Sequence, residues 1–134
     1  METKLFNGEK KELSSIRKFV KDFLTQLNIE ENLQYQLLLV IGEAAMNIVQ
    51  HAYKGGNNSK KIKVELQLND NSIQIDFYDQ GDKADPKKIK PRKLEEIRPG
   101  GLGTHFIKMV MDEVLWLDPK AEWINHLRLI KKII

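Results

Sequence analysis

The chain has 134 residues, no cysteine and a formal net charge of +3, with 19 acidic residues diluting the basic excess. That length suits one domain, 1–134, able to bury a core without a metal or a disulfide, and the missing cysteines fit a reducing compartment. The charge argues against a nucleic-acid binder, which gathers Lys and Arg on one face among stacking aromatics; the one basic stretch, 82–98, holds seven Lys/Arg, four Asp/Glu and no aromatic.

The opening METKLFNGEKKE has no apolar core of a leader peptide, and the longest aliphatic run, LLLVI at 37–41, is far too short to span a bilayer. The expectation is a soluble, cytoplasmic protein that uses no membrane.

A short strand is expected near 3–6. Over 10–27, Leu13, Ile16, Phe19, Val20, Phe23, Leu24 and Leu27 recur at three- and four-residue steps, which predicts an amphipathic helix. A second helix is expected over 30–53, ended by Lys54-Gly55-Gly56-Asn57-Asn58. Ile62, Val64, Leu66 and Leu68 then alternate with polar residues, as do Ile73, Ile75 and Phe77 after the turn at 69–71, so a hairpin with one apolar face follows. The polar, proline-bearing stretch 80–100 is long for a connection and reads as a lid or binding loop. A helix at about 103–112 and strands at about 114–118 and 122–131 complete the chain. The fold class is α/β: a two-layer sandwich whose mixed, mainly antiparallel sheet carries helices on one face. The faces of the first helix and the edge of the last strand offer surfaces for a homodimer, and serve equally as core.

Polar chemistry interrupts this pattern in three places. In EAAMNIVQHAY, helical spacing sets Glu43, Asn47 and His51 on one flank beside the apolar stripe Leu37, Ile41, Ala44 and Ile48. A solvated helix edge explains such a flank, yet a carboxylate can also take a proton from a hydroxyl, and an amide oxygen is a hard neutral ligand for Mg²⁺. In IQIDFYDQGD, Asp79 shares the parity of Ile73, Ile75 and Phe77, so a carboxylate continues the apolar face. It is either a turn aspartate or an acceptor awaiting a ligand donor such as an exocyclic amine, with Gly81 allowing close approach. In RPGGLGTHFI, Gly100, Gly101 and Gly103 lead into a helix. They form either a hinge or an anion site of bare amides at a helix N-terminus, to which Thr104 adds a hydroxyl.

The three stretches EAAMNIVQHAY, DFYDQGD and GGLGTHFIKMVMDEV, in that order, resemble the GHKL ATPase superfamily with its Bergerat-type nucleotide fold. The N–HAY and GGLG details are most similar to the anti-sigma-factor serine/threonine kinases of bacterial partner-switching systems, over roughly 10–131. The resemblance implies ATP and Mg²⁺ as cofactors. It makes Glu43 the general base and Asn47 the Mg²⁺ ligand. Asp79 becomes the acceptor of the adenine amine with Gly81 beside it, and Gly101, Leu102, Gly103 and Thr104 the segment around the phosphates. Arg98 adds lid charge, and His51 packs or hydrogen-bonds without taking part in the chemistry. The implied substrate is a small antagonist protein, and the other partner a sigma factor or similar regulator. One departure is the charged lid start Asp82-Lys83-Ala84-Asp85-Pro86, where such proteins carry a small residue and an aromatic. The competing function is a nucleotide-gated protein-binding module without catalysis.

Overall fold

A computed structural model describes residues 1–83 and 101–133, and for 101–104 the backbone. Strand β1 (Glu2–Gly8) and a 3-10 turn (Lys10–Glu12) lead into α1 (Leu13–Thr25), which turns Ile16, Val20, Phe23 and Leu24 inward. Helix α2 (Glu31–Asn47) buries Leu37, Val40, Ile41, Ala44 and Ala45. Both helices bury residues three and four apart, as helical periodicity requires.

The expected helix over 30–53 is two pieces. From Ile48 to Ala52 the turn widens to π geometry, and the Tyr53 amide donates to the Ile48 carbonyl at 3.0 Å. Lys54 (φ 48°), Gly55 (φ 100°) and Gly56 (φ 137°) then reverse the chain in left-handed conformations. Only the two glycines adopt these without a Cβ penalty.

Strands β2 (Asn57–Asn69) and β3 (Ser72–Asp79) form the hairpin, α3 (Gly101–Val110) packs on α2, and β4 (Glu113–Leu117) and β5 (Asn125–Lys132) finish the sheet. The strand order is β1-β2-β3-β5-β4. Every pairing is antiparallel, so the α/β two-layer expectation holds while the mixed component is absent among the described strands. A second correction concerns the last strand: β5 lies between β3 and β4 and is no edge, the edges being β1 and β4.

Alternation sorts the sheet's two faces. Phe6, Ile62, Val64, Leu66, Ile73, Ile75, Phe77, Leu127 and Leu129 join the inward faces of the three helices in one core. The opposite face carries Lys63, Glu65, Asp76, Tyr78, His126 and Arg128, neighbours across the ladders. Among the described residues, no helix is long and apolar enough to cross a membrane.

Candidate functional site

Asp79 is the last residue of β3 and lies opposite Ile62 on β2 and Asn125 on β5. Its position on the core face leaves it 3% exposed. Oδ1 accepts the Gly81 amide at 3.0 Å and the Asn125 Nδ2 amine at 2.8 Å. Among the described residues no donor reaches Oδ2. Burial lifts the carboxyl above the ordinary aspartate range, and the bonds from Asn125 and Gly81 pull it partway back. A buried carboxylate with one oxygen engaged and the other without a donor among the described residues can accept a hydrogen bond from elsewhere.

The turn after Asp79 is clamped to the π segment. A Cβ on Gly81 would sit 2.3 Å from the Ala52 carbonyl oxygen, so no other residue fits without moving that backbone. The Asp82 amide donates to the same carbonyl at 2.9 Å, and Asn125 Nδ2 donates to the Asp82 carbonyl at 2.8 Å. Lys54 Nζ lies 3.5 Å from the Asp82 carboxylate. The charged lid start therefore has a structural place at its first residue. Lys83 is exposed, and the rest of that stretch, 84–86, lies outside the described residues.

Glu43 and Asn47 stand one turn apart on α2, both half-buried beside the core residues Ala44 and Ile48. His51 falls within the π segment and is exposed rather than packed. Tyr53, two residues on, is the buried member of HAY.

Helix α3 begins at Gly101, two residues earlier than expected, so Gly101, Leu102, Gly103 and Thr104 form its first turn. Amides in a first turn have no acceptor within the helix and face the positive end of its dipole. Arg98 and Gly100 lie outside the described residues.

Sequence reasoning missed Asn125 and Tyr53. Asn125 was within reach: it shares the parity of Leu127 and Leu129, so it is a polar residue on a core face, the same signal that singled out Asp79.

The helical layer over one face of a five-stranded antiparallel sheet defines the class as a two-layer α/β domain of the type found in histidine kinases. The catalytic domain of histidine kinase ThkA superposes with TM-score 0.58 and 13% identity, over 99% of this chain and 97% of that one. A chain of the SiaB–SiaC complex from Pseudomonas aeruginosa superposes with TM-score 0.67 and 17% identity, over 95% and 88%. Residues 6–131 match the family described as histidine kinase-like ATPase domain, and the chain belongs to that family. It is similar to the serine-protein kinases RsbW of Staphylococcus aureus (strain JH9) and of Bacillus licheniformis, at 34% identity to each. The matches cover 70% and 58% of this chain and 64% and 53% of those relatives, so the chain spans less than two-thirds of the length of either.

Proposed function

We propose that the chain binds ATP with Mg²⁺ and transfers the γ-phosphoryl group to a serine or threonine of a small antagonist protein. In this reading it is an anti-sigma regulatory factor of a cytoplasmic partner-switching system, whose second partner is a sigma factor or similar regulator. The observation that carries the reading is Asp79: buried, with donors among the described residues on Oδ1 and none on Oδ2, and two residues ahead of Gly81, which has no room for a Cβ. The name serine-protein kinase carried by the RsbW relatives supports the kinase assignment.

Asp79 Oδ2 accepts the adenine amine, and Gly81 leaves the base space. The first-turn amides of α3, from Gly101 to Thr104, hold phosphate oxygens, and Arg98 adds positive charge. The amide oxygen of Asn47 is a hard neutral donor that suits Mg²⁺, which takes one or two protein oxygens and leaves its remaining positions to phosphate and water. Asn47 would be the protein ligand, and the ion would supply charge neutralisation at the phosphates. Glu43 accepts the proton of the incoming hydroxyl. A bond forms between the serine Oγ and the γ-phosphorus, the bond from that phosphorus to the β,γ-bridging oxygen breaks, and ADP departs.

The test is transfer of labelled phosphate from ATP to candidate antagonists by the wild type and by Glu43→Ala. Transfer is expected from the wild type and lost in the variant, with ATP still bound. Transfer that survives in Glu43→Ala overturns the base assignment. ATP binding by the wild type without transfer to any antagonist would favour the nucleotide-gated binding module.

A further inference from the structure

Strand β3 stops at Asp79, although its neighbour β2 continues past the paired Ile62 to Lys61 and beyond. At the next step, where Gln80 would pair with Lys61, a side chain stands in the ladder. The Tyr53 hydroxyl accepts the Gln80 amide at 2.7 Å and donates to the Lys61 carbonyl. The Lys61 amide donates to the Gln80 side-chain oxygen at 3.1 Å. Both strands thus keep their hydrogen bonds, but through side chains, which hold the two backbones apart.

The ring that delivers this hydroxyl is seated firmly. Tyr53 is 5% exposed, and a Cβ on Gly8 would meet its Cδ2 and Cε2 at 2.4 Å. The π turn closes on the Tyr53 amide itself. Burial pushes the phenol up to about 12, so at neutral pH it has the proton it donates to Lys61.

We propose that Tyr53 is a positioning residue for the nucleotide base: its hydroxyl, wedged between Lys61 and Gln80, ends the ladder and so sets the turn that presents Asp79. This rests on the reading of Asp79 as the adenine acceptor. Without the hydroxyl, Gln80 can zip against Lys61 as ordinary β-structure. That draws the Gly81 amide off Asp79 Oδ1 and rotates the carboxylate. The effect falls on adenine, whose amine Asp79 accepts. It does not fall on guanine, which presents a carbonyl at the equivalent position.

Calorimetry of ATP and GTP binding, with Mg²⁺, to the wild type, Tyr53→Phe and Asp79→Asn tests this. In Tyr53→Phe, ATP affinity is expected to fall about tenfold, the order of one lost hydrogen bond, while GTP affinity stays put and the ATP/GTP preference narrows. In the transfer assay KM for ATP rises and kcat holds. A lowered melting temperature with an unchanged ATP/GTP ratio means that Tyr53 only stabilises the fold, and overturns the proposal. Equal ATP binding by the wild type and Asp79→Asn, or none by the wild type, overturns the reading of Asp79 and the proposal with it. Should Tyr53→Phe not fold, amide exchange at Gln80 and Gly81 in the wild type decides: slowing by ATP but not by GTP is expected, and no difference between the nucleotides overturns the coupling.

Discussion

Two buried aspartates sit three residues apart on β3, each 3% exposed, and they face opposite sides of the sheet. Asp76, on the side away from the helices, is fully met. Oδ1 lies 2.7 Å from His126 Nε2 and accepts Arg128 Nε at 2.8 Å, and Oδ2 accepts Gln74 Nε2 at 2.9 Å. Tyr78 stacks on the His126 ring at 4.0 Å, and Lys63 covers Tyr78 at 4.3 Å. Among the described residues, Asp79 has donors on Oδ1 and none on Oδ2. Burial of a carboxylate therefore says little about its role; the two differ in how many oxygens the described residues engage, and the recognition role proposed for Asp79 rests on that difference.

That contrast can be broken from both ends. Asp76→Ala leaves Arg128 and His126 without their acceptor, and the expected loss is about 3–5 kcal/mol in urea unfolding, with ATP affinity unchanged in the fraction that folds. A loss confined to nucleotide binding would reverse the roles assigned to the two residues. In the proposed reading Asp79→Asn replaces the acceptor of a charged hydrogen bond to adenine, so ATP affinity measured by calorimetry is expected to drop by about 1.5–3 kcal/mol with the fold retained. Gly81→Ala forces a Cβ into the Ala52 backbone, and about 1–3 kcal/mol of stability is expected to go with it. ATP affinity should suffer too, because the same turn carries Asp79.

The smallest expected effect is the pH dependence of stability. Asp79 has its folded pKa raised above the unfolded value, chiefly by burial. Between those two values the folded state holds more protons than the unfolded one, so stability falls as pH rises through the window. Asp79→Asn carries no such charge. Its melting temperature is expected to exceed that of the wild type at neutral pH, and the gap to close below the ordinary aspartate value of about 4. A variant less stable than wild type at neutral pH would show that the charged carboxylate, held by Asn125 and Gly81, stabilises the fold.

Much of this is legible in the sequence. The alternation of Ile73, Ile75 and Phe77 placed Asp79 on the core face, and the structure buries it there. The spacing from Leu13 to Leu27 marked α1, whose inward face is the one expected. Asn125 obeyed the same parity rule but sits on the far strand of the β3–β5 pair, and nothing local couples it to Asp79. The π turn was hidden for a different reason. IVQHA has ordinary helical composition, and what accompanies its widening is contact with distant residues: Asp82 on the Ala52 carbonyl and Gln80 on the Tyr53 hydroxyl.

Local periodicity determined by itself which segments are helices and strands and which face of each is buried, because burial of apolar area acts residue by residue along a regular repeat. Tertiary structure alone decided the strand order, the break in the second helix and the partners of Asp79. Those depend on hydrogen bonds between residues far apart in the chain, whose donors and acceptors meet only after the core has closed.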